Sequence, residues 1–161
     1  MQNEQVFNTI YEQHYNKVYR LCKGYFNGNE SIAFDATQET FIKVWQKINT
    51  FRNEANISTW IYRIAANTCL LYLRKASTQK EIKVDVLPEK KLEEYNEEVE
   101  EKLKKMYACI HQLDENGRMI ILLTLEGVEY NTIADVIGIS EENLRVKIHR
   151  IKKCLSTCVK K

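Results

Sequence analysis

Four residues of the segment "STWIYRIAANTCLLYLRK" (Ser58–Lys75) share one face when it is wound as a helix: Trp60, Arg63, Asn67 and Arg74. An indole beside two guanidinium groups and an amide is poor core and good nucleic-acid surface, because the ring can stack on an exposed base. The same set also describes a boundary tryptophan flanked by arginines whose stems lie along apolar surface. A second set lies in "ISEENLRVKIHRIKKCL". There Glu142, Val146, His149 and Lys153 point one way, flanked by Arg145 and Arg150, and Leu144, Ile148, Ile151 and Leu155 point the other. Arg145 and Arg150 can meet phosphates or guanine edges, and Val146 can meet a thymine methyl. Glu142 would repel phosphate, unless it accepts a hydrogen bond from cytosine or caps the helix. A plain solvated amphipathic helix is the competing reading. After Glu142 seven Lys/Arg follow with no acidic residue, so the charge is one-sided.

Such residues act only if their elements hold them. In "EYNTIADVIG" the residues Tyr130, Ile133, Ala134 and Ile137 follow the spacing of an amphipathic helix. Gly138 permits a tight turn and Ser140 is a good N-cap for the following helix. Two short helices joined through a glycine, the second with a basic outer face, describe a helix-turn-helix. Upstream, "ENGRMIILLTLEGV" reads as a core helix, with Met119, Ile120, Leu122, Leu123 and Leu125 inside and Gly127 as its stop signal. At the front, "VFNTIYEQHYNKVYRLCKGYF" places Phe7, Ile10, Tyr11, His14, Val18, Leu21 and Cys22 at helical spacings, with His14 read as a core or boundary histidine. "DATQETFIKVWQKINTF" offers Phe41, Val44, Trp45 and Ile48 as its buried side. Its other side, Asp35, Gln38, Glu39 and Ile42, suits either solvent or a docking partner. In Ser58–Lys75 the inward stripe is Ile61, Ile64, Ala65, Thr68 and Tyr72.

With 161 residues, 44% hydrophobic, five Gly and one Pro, the chain has too little turn punctuation for a strand-rich fold. The expected fold class is all-α: two small helical domains joined by a linker, the C-terminal one a helix-turn-helix. The net charge of +2 conceals a division. Residues 1–76 carry nine Lys/Arg against six Asp/Glu, whereas residues 77–112 carry seven against nine. The stretch "STQKEIKVDVLPEKKLEEYNEEVEEK" has few apolar residues and turns helical near "EEVEEKLKKMYACIHQL". Expected boundaries are 1–76 for the front unit, 77–95 for the linker and 96–161 for the back unit. No run approaches the length of a membrane span, and the N-terminal residues lack a basic-then-apolar signal, so a cytoplasmic protein is expected. The five cysteines include no Cys-x-x-Cys pair. Reduced, unliganded cysteines are expected, with Cys154, Cys158 and His149 as the alternative redox or zinc site. No Walker motif or catalytic triad is visible; no enzyme, cofactor or metal is expected.

"DATQETFIKVWQKI", "FRNEANISTWIYRIAANTCLLYLRK" and "GVEYNTIADVIGISEENLRVKIHRIKKCL", in that order and spacing, resemble bacterial sigma factors of the sigma-70 family. The similarity is to the small two-domain class called extracytoplasmic-function (ECF) sigma factors, and covers roughly residues 7–76 and 107–155. It implies core RNA polymerase, promoter DNA and an anti-sigma factor as partners. It also implies that Asp35, Gln38, Glu39 and Ile42 dock on the clamp coiled coil of the polymerase largest subunit. The loop around "FRNEANISTW", with Arg52 and Asn53, would capture a flipped base of the minus-ten element. Trp60, Arg63 and Asn67, with Arg74 on the same face, would meet the separating strands. Arg145, Val146, Lys147, His149 and Arg150, with Lys153, would read the minus-thirty-five element as duplex. The sequence departs from the family pattern at Glu142, Asn143 and Leu144, where Gly-Thr-Val is common, at Val146 for a frequent serine, and at Asn53 for a frequent glycine. These departures bear on which promoter is read. Two other readings stand beside this one: a stand-alone helix-turn-helix repressor, and a thiol or zinc sensor.

Overall fold

Short polar side chains set where several helices begin. Asn29 accepts a hydrogen bond from the Ile32 amide at 3.2 Å, Asp114 from the Gly117 amide at 2.9 Å, and Ser140 from the Asn143 amide at 3.2 Å. Each satisfies one of the orphan donors at a helix start. The computed structural model describes residues 2–51, 56–78 and 96–161. Its helices are α1 (Gln2–Tyr25), α2 (Glu30–Lys47), a 3₁₀ turn (Ile48–Thr50), α3 (Ile57–Thr78), α4 (Glu97–His111), α5 (Glu115–Leu125), α6 (Tyr130–Ile137) and α7 (Glu141–Lys160). The described residues include no strand, so the chain is all-α as expected. Helix α3 runs two residues past the expected boundary at 76.

Helices α1–α3 pack around Val18, Leu21, Cys22, Val44, Ile61 and Ala65, all fully buried. Thr37, Thr40 and Thr68 lie on buried faces as well, because each hydroxyl donates to the carbonyl one turn back, at 2.6, 2.7 and 2.8 Å. His14 is the core histidine that its spacing suggested: its Nδ1 meets the Ile10 carbonyl at 3.0 Å and its Nε2 meets Ser58 Oγ at 3.2 Å. Burial, opposed by the Ile10 bond and reinforced by Lys17, holds its pKa below the ordinary value of 6.5. The unfolded chain therefore takes up this proton more readily, and stability falls as the pH drops below 6.5 toward the folded value. Urea midpoints taken from pH 7 down to pH ~5.5 decline for the parent, and a His14→Asn variant shows a flatter profile.

Helices α4–α7 close around Ile110, Ile120, Leu123, Ile133 and Leu144, which are also buried. Helix α6 stops at Gly138, in the left-handed region at φ 85°, whose amide bonds the Ala134 carbonyl at 2.8 Å. A β-carbon is strained at that φ. Gly138→Ala lowers stability by about 1–2 kcal/mol in thermal unfolding, without any lost contact. Gly127 likewise ends α5, at φ 76°.

Three expectations fail. Trp45 is 46% exposed and Leu125 63% exposed rather than core, and Ile48 is only half-buried, in the 3₁₀ turn. Trp45 makes an edge-to-face contact with the half-buried Phe7 at 5.2 Å. Arg118, read as part of a core helix without a role, is 6% exposed and donates to the His111 carbonyl at 2.8 Å and the Tyr25 carbonyl at 3.4 Å.

The front and back groups also meet. Gly24 of α1 leaves room for the Leu122 side chain of α5, and the Arg118 guanidinium lies 5.0 Å from the centre of the Tyr25 ring. Arg20 forks onto Glu126, with Nε to Oε1 and Nη2 to Oε2 both at 2.9 Å. Helix α3 packs on α6.

Candidate nucleic-acid interface

Three outward surfaces carry the residues singled out by sequence. On α2, the buried side is Ala33, Ala36, Thr37, Thr40, Phe41 and Val44. That leaves Asp35 and Ile42 exposed and Gln38 and Glu39 half-buried on the opposite side. Ile42 is 55% exposed, and Phe34 at 50% and Trp45 at 46% extend an apolar ridge along the same helix. Sequence reading missed Phe34 and placed Trp45 on the buried side; the spacing 34, 38, 42, 45, one ridge at 3.6 residues per turn, was the available signal. Three large apolar side chains exposed along one helix form the kind of patch that suits a docking partner.

On α3, Arg63, Asn67 and Arg74 are exposed and lie on the face of Trp60. Leu71, 44% exposed, shares that face and was not singled out. Trp60 is half-buried, its ring 4.9 Å from Phe51. Arg63 donates through Nη2 to the Asp135 carbonyl of α6 at 3.2 Å. The face is thus turned toward the first helix of the helix-turn-helix in this arrangement. Arg52 and Asn53 lie outside the described residues, as do 79–95 of the expected linker.

On α7, Leu144, Ile148, Ile151 and Leu155 are buried, and Arg145, Val146, Lys147, His149, Arg150 and Lys153 are all exposed. The cationic residues are free of the core, so their charge faces water. Arg145 is steadied from two sides, by Glu141 at 4.0 Å and by the Tyr130 ring at 5.7 Å. Both are weak, exposed contacts. The cap of α7 is Ser140, so Glu142 is not needed for that task; it stands exposed in the first turn, where the helix dipole favours an acid.

The cysteine expectation needs correction. Cys158 is disulfide-bonded to Cys109 of α4, 49 residues away, while Cys22, Cys69 and Cys154 are free. Sequence proximity could not find this partner, because α4 and α7 meet only through folding. His149 lies nine residues before Cys158, half a revolution round α7, so the three do not converge. Among the described residues no group of three His, Cys, Asp or Glu could hold a metal, and no helix is long and apolar enough to cross a membrane.

Against this geometry the comparisons fall region by region. The profile of sigma-70 region 2 matches residues 10–79, and that of sigma-70 region 4 matches residues 103–155. The ECF RNA polymerase sigma-E factor of Haemophilus influenzae is 31% identical over 168 residues, covering 95% of this chain and 87% of the relative. That of Escherichia coli K12 is 27% identical over 170 residues, covering 98% and 88%. Among solved structures, the sigma factor RpoE of Bartonella quintana, in complex with the anti-sigma factor NepR, superposes with a TM-score of 0.78 at 18% identity, covering 97% of this chain and 98% of that one. CnrH, in complex with the cytosolic domain of CnrY, gives 0.74 at 19% identity, covering 98% and 89%. With regions 2 and 4 following one another along α1–α3 and α4–α7, the chain belongs to the sigma-70 family, as an ECF RNA polymerase sigma factor.

Proposed function

We propose a division of labour for this alternative sigma factor, which binds core RNA polymerase and directs it to specific promoters to initiate transcription. The front unit, residues 1–76, docks on the polymerase through Asp35, Gln38, Glu39 and Ile42, with Phe34 and Trp45 at the rim of the contact. Trp60, Arg63, Asn67 and Arg74 meet the separating strands of the minus-ten element, joined by Arg52 and Asn53 of the preceding loop. The back unit, residues 96–161, reads the minus-thirty-five element as duplex through Arg145, Val146, Lys147, His149, Arg150 and Lys153. One observation carries this reading: α2, α3 and α7 each turn a distinct surface away from the core, one apolar and acidic, two cationic.

The division explains useful affinity from small faces. Joining two weak contacts through residues 77–95 makes the second effectively intramolecular. It also sets a condition. The Arg63 guanidinium is hydrogen-bonded to the Asp135 carbonyl of α6, so it meets single strands only after leaving that carbonyl. Strand opening then runs on binding energy: unstacking a base costs a few kcal/mol, and stacking with pocket contacts offsets it. No bond in nucleotide or protein need be made or broken by the chain itself, which acts as a non-enzymatic, cytoplasmic specificity subunit. Since RpoE of Bartonella quintana was solved with an anti-sigma factor, we infer that a comparable partner holds this chain when it is idle.

The test is transcription in vitro with core polymerase and a genomic promoter library. Run-off products sharing an upstream pair of motifs are the expected result. Initiation at the same sites with and without the chain would overturn the reading. A stand-alone repressor would instead bind duplex tightly without polymerase, and leaves the surfaces of α2 and α3 without a task.

A further inference from the structure

Cys109 and Cys158 join α4 to the helix that carries the duplex-reading residues, with Cα atoms 5.9 Å apart. The bond lies on a cleft of about 820 Å³ whose walls include Lys105, Arg150, Lys153 and Cys154, with no acidic side chain among the lining residues. The two cysteines are unequally exposed: Cys109 is 4% exposed, and Cys158 is only half-buried. Both cysteines line the cleft, and Cys158, the more exposed, is the one a reagent reaches first, with Cys109 as the leaving group. The other close pair is built differently. Cys22 and Cys69 have their sulfurs 3.7 Å apart and are both fully buried, so no reagent reaches them. Their mutual hydrogen bond, with burial, also holds the Cys69 thiol well above its ordinary range. Only one of the two pairs is open to solution chemistry, and its approach is cationic.

We propose that Cys109–Cys158 is a reversible thiol-exchange site for an anionic low-molecular-weight thiol, which enters the cationic cleft and opens the link between α4 and α7. The thiolate attacks Cys158 Sγ, the bond to Cys109 breaks, and Cys109 leaves as a thiolate that takes a proton from water. A second thiolate attacks the small molecule's own sulfur in the mixed disulfide, and Cys158 leaves in turn. Two small thiols are oxidised to one disulfide and two protein thiols appear; the same steps reversed reclose the link. The regulatory meaning rests on the sigma-factor reading, because disulfides of cytosolic proteins are mostly transient and sensing. The link spans a 49-residue separation, so opening it frees the unfolded chain and weakens the hold of α4 on the recognition helix.

The experiment uses the full oxidised chain, exposed either to glutathione, which is anionic, or to cysteamine, which is cationic, at matched thiolate concentration. Samples are acid-quenched, unfolded and alkylated, and mass spectrometry reads three labels for the closed form or five for the open one. Glutathione is expected to open the bond completely, about tenfold faster than cysteamine at low salt, with the ratio collapsing toward one near ~0.5 M salt. Lys105→Gln reduces the ratio. Opening lowers the thermal midpoint by on the order of 10 °C. The proposal is overturned by five labels even after glutathione disulfide treatment, by resistance of the native bond to glutathione, by equal rates with the two thiols, or by an unchanged midpoint. None of these readouts uses polymerase or promoter, so their failure leaves the sigma-factor reading standing, and failure of promoter-directed transcription leaves them standing.

Discussion

Ile42→Glu leaves the chain folded and lowers its affinity for core polymerase by about 30- to 1000-fold, which corresponds to roughly 2–4 kcal/mol. The side chain is 55% exposed, on the side of α2 away from Ala36, Thr40 and Val44. Surface replacements of that kind usually change stability by less than ~0.5 kcal/mol. In a docked complex the position is different. Ile42 stands beside Phe34 and Trp45, and a carboxylate there would be stripped of water with no cation on α2 placed to receive it; Lys43 is already paired with Glu39 at 3.5 Å. Asp35→Ala, at an exposed polar position, costs less, by about tenfold at most. Fluorescence anisotropy against core polymerase, with thermal unfolding as the folding control, reads both. Parent-like binding by Ile42→Glu would remove α2 from the docking surface.

How much of this was visible in the chain depends on which signal each residue sends. Gly138 and Ser140 were legible because a left-handed turn and an N-cap each demand a narrow set of residue types. The α7 stripe of Leu144, Ile148, Ile151 and Leu155 was legible because apolar and charged residues alternate there with one period. Helix α2 was misread because its buried side contains Thr37 and Thr40, whose hydroxyls are satisfied within the helix. Counting apolar residues then drew Trp45 inward, although it lies about 100° round the helix from Val44. Leu125 misled in the same way, since the last turn of α5 points past the core. Arg118 sends no local signal at all. Its partners, the carbonyls of Tyr25 and His111, exist only once α1, α4 and α5 have come together, and so does the pairing of Cys109 with Cys158.

Arg145→Ala and Asn67→Ala are expected to fail at different steps of one reaction. Arg145 is exposed on the outer face of α7, and a lost base or phosphate contact there costs about 1–3 kcal/mol, or about 5- to 150-fold in use of the upstream element. If its partner is a phosphate, the loss is uniform across promoter sequences and the salt slope falls by about one; if a guanine, the loss is confined to one base pair. Asn67 lies on α3, away from the exposed cationic face of α7, so under the proposed division its removal spares closed-complex formation. It slows opening by about tenfold or more, the share of a few kcal/mol of unstacking that one amide can offset. A template with the minus-ten region already melted separates the two. On it Asn67→Ala initiates like the parent, because the step it impairs has been done in advance, whereas Arg145→Ala keeps its defect. Rescue of both variants, or of neither, would mean that the faces of α3 and α7 do not act on separate promoter elements. The discrimination works because stability is held constant: both side chains are exposed, and the contacts of Arg145 with Tyr130 and Glu141 are weak surface ones.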